Sequence, residues 1–124
     1  EIIVYSISDS LGGTSQKLLS AFTAQYPDII FNNSYRFPFI NKEDELLDIL
    51  RDAIKDDALV ISTLVDGKLA SVAREFSLMH GLSYLDLMHP FFEIIKEKTG
   101  RDPIEVPGTL HRLDSEYFNK ISAI

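Results

Sequence analysis

The segment of this chain best suited to chemistry is Ser8-Asp9-Ser10-Leu11-Gly12-Gly13-Thr14, where three hydroxyls, one carboxylate and two glycines fall within seven residues. It follows an apolar run from Ile2 to Ile7 and precedes an amphipathic stretch with Leu18, Leu19 and Phe22 on one face. That order reads as strand, tight turn, helix. The first N–H groups of a helix have no intrahelical acceptor, and the helix dipole adds partial positive charge to them. Phosphates and carboxylates bind at such places. Ser8, Ser10, Gly12, Gly13 and Thr14 are therefore candidate phosphate ligands. Asp9 is a candidate base, or a group that orients a hydroxyl or a cation. A plainer reading stands beside this one, because any strand-to-helix turn needs small residues and Ser, Asp and Thr cap helices. The turn is not a Walker A loop, since no Gly-Lys-Ser/Thr follows, and G-x-G-x-x-G is missing too.

Other candidates are weaker. Arg36, among Tyr35, Phe37, Pro38 and Phe39 near the end of a second strand, could bring a guanidinium to an anion above the sheet, or could simply be solvated. His80, His89 and His111 are too far apart for a metal-ligand spacing, so no metal site is expected. His80 suits the C-terminus of a helix that Gly81 stops. No nucleophile elbow is present for a serine triad. A receiver domain would need an aspartate where Ser62 and Thr63 stand. Pro107-Gly108 followed by His111, Arg112 and Asp114 could present cations to an anion, a partner or another domain. It reads equally as a loop with Asp114 as a helix cap.

These residues need elements to position them. Short β-branched or aromatic runs occur at Ile2–Ile7, at Ile29–Phe31 with a possible extension to Phe37, at Leu59–Leu64 and around Tyr84–Leu85. Helical spacing is found between them. It runs from about Thr14 to Gln25, after Asn41 as a cap, after Asp66-Gly67, and from Pro90. A stretch from Thr99 to Arg112 is irregular, and Tyr117, Phe118, Ile121 and Ile124 fall at helical spacing again. Strands alternating with helices imply a parallel sheet. The first run is apolar at nearly every position, as a strand covered on both faces should be. The expectation is one small doubly wound, Rossmann- or flavodoxin-like α/β domain over residues 1–124, with strand order 2-1-3-4 and helices on both faces. Ligands of such sheets lie beyond the strand C-termini where the winding reverses. Ser8, Asp9, Ser10, Ser62 and Thr63 would line that crevice.

Composition sets the bounds. The 124 residues suit one domain. The net charge of −7 argues against non-specific nucleic-acid binding. No apolar stretch approaches the roughly 20 residues of a membrane span, and the first run lacks the basic leader of a signal peptide. Cysteine is absent, which fits a reducing compartment, and a cytoplasmic setting is expected. The apolar stripe at Tyr117–Ile124 has no stop signal after it, so a longer protein is expected.

Three segments taken together resemble one family. They are the strand leading into SDSLG-x-T, the TLVD of Thr63–Asp66, and PG-x-x-H-x-LD-x-x-YF from Pro107 to Phe118, followed by Lys120-Ile121 and Ala123-Ile124. The chain is similar, along its whole length, to the regulatory proteins of pyruvate, phosphate dikinase and phosphoenolpyruvate synthase, with the last segment favouring the dikinase branch. The resemblance implies a bifunctional regulator that phosphorylates a threonine of its target with ADP as donor. It also implies removal of that phosphate by phosphorolysis, releasing pyrophosphate. It places a nucleotide-binding P-loop in a C-terminal domain beyond residue 124, so no cofactor is expected in this chain alone, which by itself should be inactive. It further implies the target enzyme as protein substrate and a possible homodimer. The family usually carries an acidic residue where Gly13 stands. Two other functions stay open: a docking and dimerisation module without chemistry, and a free-standing anion binder of flavodoxin type.

Overall fold

A computed structural model describes residues 1–108 of the chain. The elements alternate as β1 (Ile2–Ser8), α1 (Gly13–Thr23), β2 (Phe31–Phe37), α2 (Glu43–Lys55), β3 (Leu59–Thr63), α3 (Gly67–His80), β4 (Ser83–Asp86) and α4 (His89–Thr99). All strand pairs are parallel and the order is β2-β1-β3-β4. The doubly wound α/β sheet expected from the sequence is therefore present. The segments around His111, Arg112 and Asp114, and the expected last helix over Tyr117–Ile124, lie outside the described residues.

Side-chain alternation along the two central strands divides the interior. Tyr5, Ile7 and Val60 join Leu46, Leu50 and Ala53 of α2 and Leu69, Ala70 and Ala73 of α3 in one large buried cluster. Val4 and Ile61 point the other way and meet only Leu19 of α1, with Phe31 and Leu59 at the margin. Period-two alternation thus gives one face a deep apolar core and the other a shallow one. On the deep side Tyr5 stacks on Tyr35, and its hydroxyl donates to Asp56 just after α2. Burial, then that bond, push the Tyr5 phenol well above its ordinary range.

Two boundaries differ from expectation. Ile29 and Ile30 precede β2 and are exposed, so the strand starts later than expected, at Phe31, and takes the extension to Phe37 through a polar stretch. An edge strand tolerates such residues because it is paired on one side only. Its register slips between Ile3 and Tyr5, beside Asn32, whose Oδ1 accepts from the Ser34 N–H and hydroxyl. At α2, Lys42 rather than Asn41 takes the capping position, without a side-chain bond, and Glu43, Asp44 and Glu45 favour the dipole instead. The expected ends of α3 are both in place. Asp66 accepts from Lys68 N and Leu69 N, and Gly81, at φ +66°, stops the helix after His80. Pro90 lies in the first turn of α4, one residue after its start at His89.

Candidate functional site

β1 ends at Ser8, which pairs with Thr63, the last residue of β3. Both lie on the α1 side of the sheet, where the chain turns through Gly12 into the helix. Gly12 adopts φ +84°, a left-handed conformation that glycine enters without strain. Ser15 is fully buried beneath this turn and donates to the Gly12 carbonyl at 2.9 Å. Its own oxygen accepts from Ser6 at 2.8 Å, since its single proton is already committed. The Ser8 Oγ accepts from Ser10 N at 3.0 Å, and the Ser8 and Ser10 carbonyls receive the N–H groups of Ile40 and Phe39. The turn is held on every side by small polar groups.

No side chain caps α1, and no acid stands in its first turn. The other helices differ. Glu43, Asp44 and Glu45 open α2, Asp66 caps α3, and Asp86 Oδ1 accepts from Met88 N and His89 N at the start of α4. Among the four described helices, α1 alone leaves its N-terminal positive potential without a carboxylate.

Two cavities open beside that N-terminus, and Gly12 and Gly13 border both. The larger, about 390 Å³, lies over the ends of β1 and β3, where the winding reverses, and is lined by Ser10, Thr14 and Thr63 on its polar side. Thr63 is 7 % exposed, and its hydroxyl has no hydrogen-bond partner among the described residues. The opposite wall is mainly apolar, built from Val65, Met88, Phe92 and Ile104, and Glu105 adds one carboxylate to the lining. The smaller cavity, about 250 Å³, lies toward β2 and holds Ser6, Ser8, Gln16 and Arg36.

The expected residues therefore divide. Ser10, Thr14 and Thr63 share one cavity, Ser8 and Arg36 share the other, and the two glycines separate them. Ser62 does not reach the crevice. It points to the opposite face, where its hydroxyl meets the Tyr84 hydroxyl at 2.7 Å, and burial pushes that phenol up to about 12. Strand alternation separates it from its neighbour Thr63. Asp9 lines neither cavity. Its Oδ2 accepts from Val65 N at 2.9 Å and Asp66 N at 3.1 Å, tying the end of β1 to the start of α3. Its Oδ1 is buried with no partner among the described residues. Burial raises its carboxyl above the ordinary value, against the opposing pull of the two N–H groups.

The apolar wall was not anticipated from the sequence. Pro103 and Ile104 come from the irregular segment after α4, which returns to the site with Glu105 at φ +55°. The Glu105 carboxylate lies against Gly67, where a Cβ would stand 2.6 Å from its Oε1. No group of three potential metal ligands occurs among the described residues, and none of their helices is long and apolar enough to cross a membrane.

Comparison with known proteins gives the site its context. The profile of a family described as kinase/pyrophosphorylase matches residues 4–124. A Streptococcus gordonii protein, provisionally named a pyruvate, phosphate dikinase regulatory protein, is 94 % identical over the whole chain, and the chain covers 46 % of it. A Streptococcus sanguinis protein of the same provisional name is 90 % identical, and an Enterococcus faecalis one 65 %, each over the whole chain and 46 % of the relative. The chain thus spans about half the length of these relatives.

Proposed function

The chain belongs to the kinase/pyrophosphorylase family, and from that premise we propose that it is the N-terminal part of a regulatory phosphotransferase acting on pyruvate, phosphate dikinase or a related enzyme such as phosphoenolpyruvate synthase. In this reading the full-length protein phosphorylates a threonine of its target with ADP as donor. It removes the phosphate by transfer to inorganic phosphate, releasing pyrophosphate. The nucleotide is held by a P-loop domain in the other half of the protein. The larger cavity supplies the target-facing wall.

The observation that carries this reading is the pairing of an uncapped helix N-terminus with the Thr63 hydroxyl, unpartnered among the described residues, across one cavity. Phosphoryl transfer depends on positioning and on neutralising charge at the transferred group. The N–H groups of the first turn of α1 meet the charge, and Thr63 donates one directional bond to a phosphoryl oxygen. Asp9 enters neither cavity, so its part is positioning: it fixes the loop after β3 relative to the turn after β1.

The test compares Thr63→Val with Thr63→Ser in the full-length protein, measuring ADP-dependent phosphorylation and phosphate-dependent dephosphorylation of the target. A lost hydrogen bond to a charged group costs about 1.5–3 kcal/mol, so the valine variant should lose at least about tenfold in both activities. The serine variant should keep most of them. Unchanged activities in the valine variant would favour the docking module without chemistry.

A further inference from the structure

We propose that the smaller cavity is a separate subsite for a free tetrahedral oxyanion, inorganic phosphate, held by Arg36. Strand register sets up the arrangement. Arg36 pairs with Ser6 across β1 and β2, so both project on the α1 side, while Tyr35 and Phe37 turn to the opposite face and pack with Tyr5. This alternation takes Arg36 out of the aromatic cluster and places it at the cavity.

The lining is rich in donors and contains no Asp or Glu. Arg36 makes no hydrogen bond or ion pair among the described residues, so its whole guanidinium fork is available. Gln16 lines the same cavity, and its amide nitrogen is buried with no acceptor among the described residues. A buried donor without a partner points to an acceptor that completes it. Gly12 and Gly13 bring the uncapped start of α1 to the same space. Ser6 has given its proton to Ser15, which leaves Arg36, Gln16, the Ser8 hydroxyl and the helix start as the donors. A fork, an amide and a half-charge converging on about 250 Å³ fit a compact anion.

The binding site stands on these contacts alone. That the bound phosphate is the one consumed in dephosphorylation rests on the function proposed above. A phosphoryl end of a nucleotide would present the same chemistry, so the experiment separates the two sources.

Inorganic phosphate and, separately, ADP are titrated into the full-length protein and followed by calorimetry. The Arg36 side-chain N–H and the Gln16 amide resonances are followed by NMR in the same titrations. Phosphate alone is expected to shift both resonances. Arg36→Gln should weaken that binding at least about tenfold, Arg36→Lys less, and Gln16→Leu measurably. Arg36 is exposed, so Arg36→Gln should leave the melting temperature unchanged and the loss can be read as binding. Wild-type phosphate affinity in Arg36→Gln would overturn the proposal, as would ADP shifting these resonances where phosphate does not. If Arg36→Gln loses phosphate while Thr63→Val keeps both transfer activities, the subsite stands and only the function proposed for the larger cavity fails.

Discussion

Asp9 shows how a residue suited to chemistry is also tied into the fold. One carboxylate oxygen holds two backbone N–H groups and the other holds nothing among the described residues. Because burial raises its carboxyl above 3.8, the native state binds its proton more tightly than the unfolded chain does. Its stabilising contribution is therefore full below that unfolded value and is lost as pH rises through the folded one. This is opposite to a salt-bridged aspartate. Asp9→Asn keeps an oxygen for both N–H groups and removes the buried charge. It should be within about 1 kcal/mol of wild type near pH 7 and relatively less stable near pH 4. Asp9→Ala orphans both N–H groups and should cost about 2 kcal/mol. Denaturant unfolding of the two variants across that pH range checks both statements. The carboxylate's place at the strand end was legible in the sequence. Its partners, 56 and 57 residues away, were not, because they are backbone groups with no residue-type signature.

At the scale of elements, the start of α1 borders both cavities, and the two glycines there do different work. Gly12 needs its positive φ, whereas Gly13 is helical and a Cβ there would meet nothing within 4 Å. Gly12→Ala should destabilise by roughly 1–2 kcal/mol, the cost of a left-handed L-residue. Gly13→Ala should stabilise by about 0.5 kcal/mol through the unfolded chain. Thermal melts of the pair should move in opposite directions. Both glycines read alike in the sequence, since a Gly-Gly pair does not say which member is strained. The strands read well where β-branched residues cluster, as in Ile2–Ile7. β2 read poorly, because an edge strand closing on Asn32, Asn33 and Ser34 has little apolar pattern to give. Alternation puts Ser62 and Thr63 on opposite faces of the strand, but which of them turns toward α1 was not legible until register fixed their parity.

The molecule as a whole is asymmetric across its sheet. The α2–α3 side has a contiguous core, while the α1 side rests on Val4, Leu19 and Ile61 and then gives way to hydroxyls. Leu50→Ala should therefore cost about 3 kcal/mol or more, and Leu19→Ala less, by denaturant unfolding. Amides of α1 should exchange with solvent before those of α2 in native-state hydrogen exchange, since opening α1 exposes little apolar surface. The alternation of strands and helices made this architecture legible from the sequence. The wall from Pro103 to Val106, apolar apart from Glu105, was not, because it belongs to an irregular segment brought back over the sheet. One consequence follows from Gly12 and Gly13 bordering two cavities. Anions seated on either side draw on the same half-charge of a single helix and repel each other across it. Their binding should be anticooperative: filling one cavity loosens the guest in the other, by the same factor in both directions.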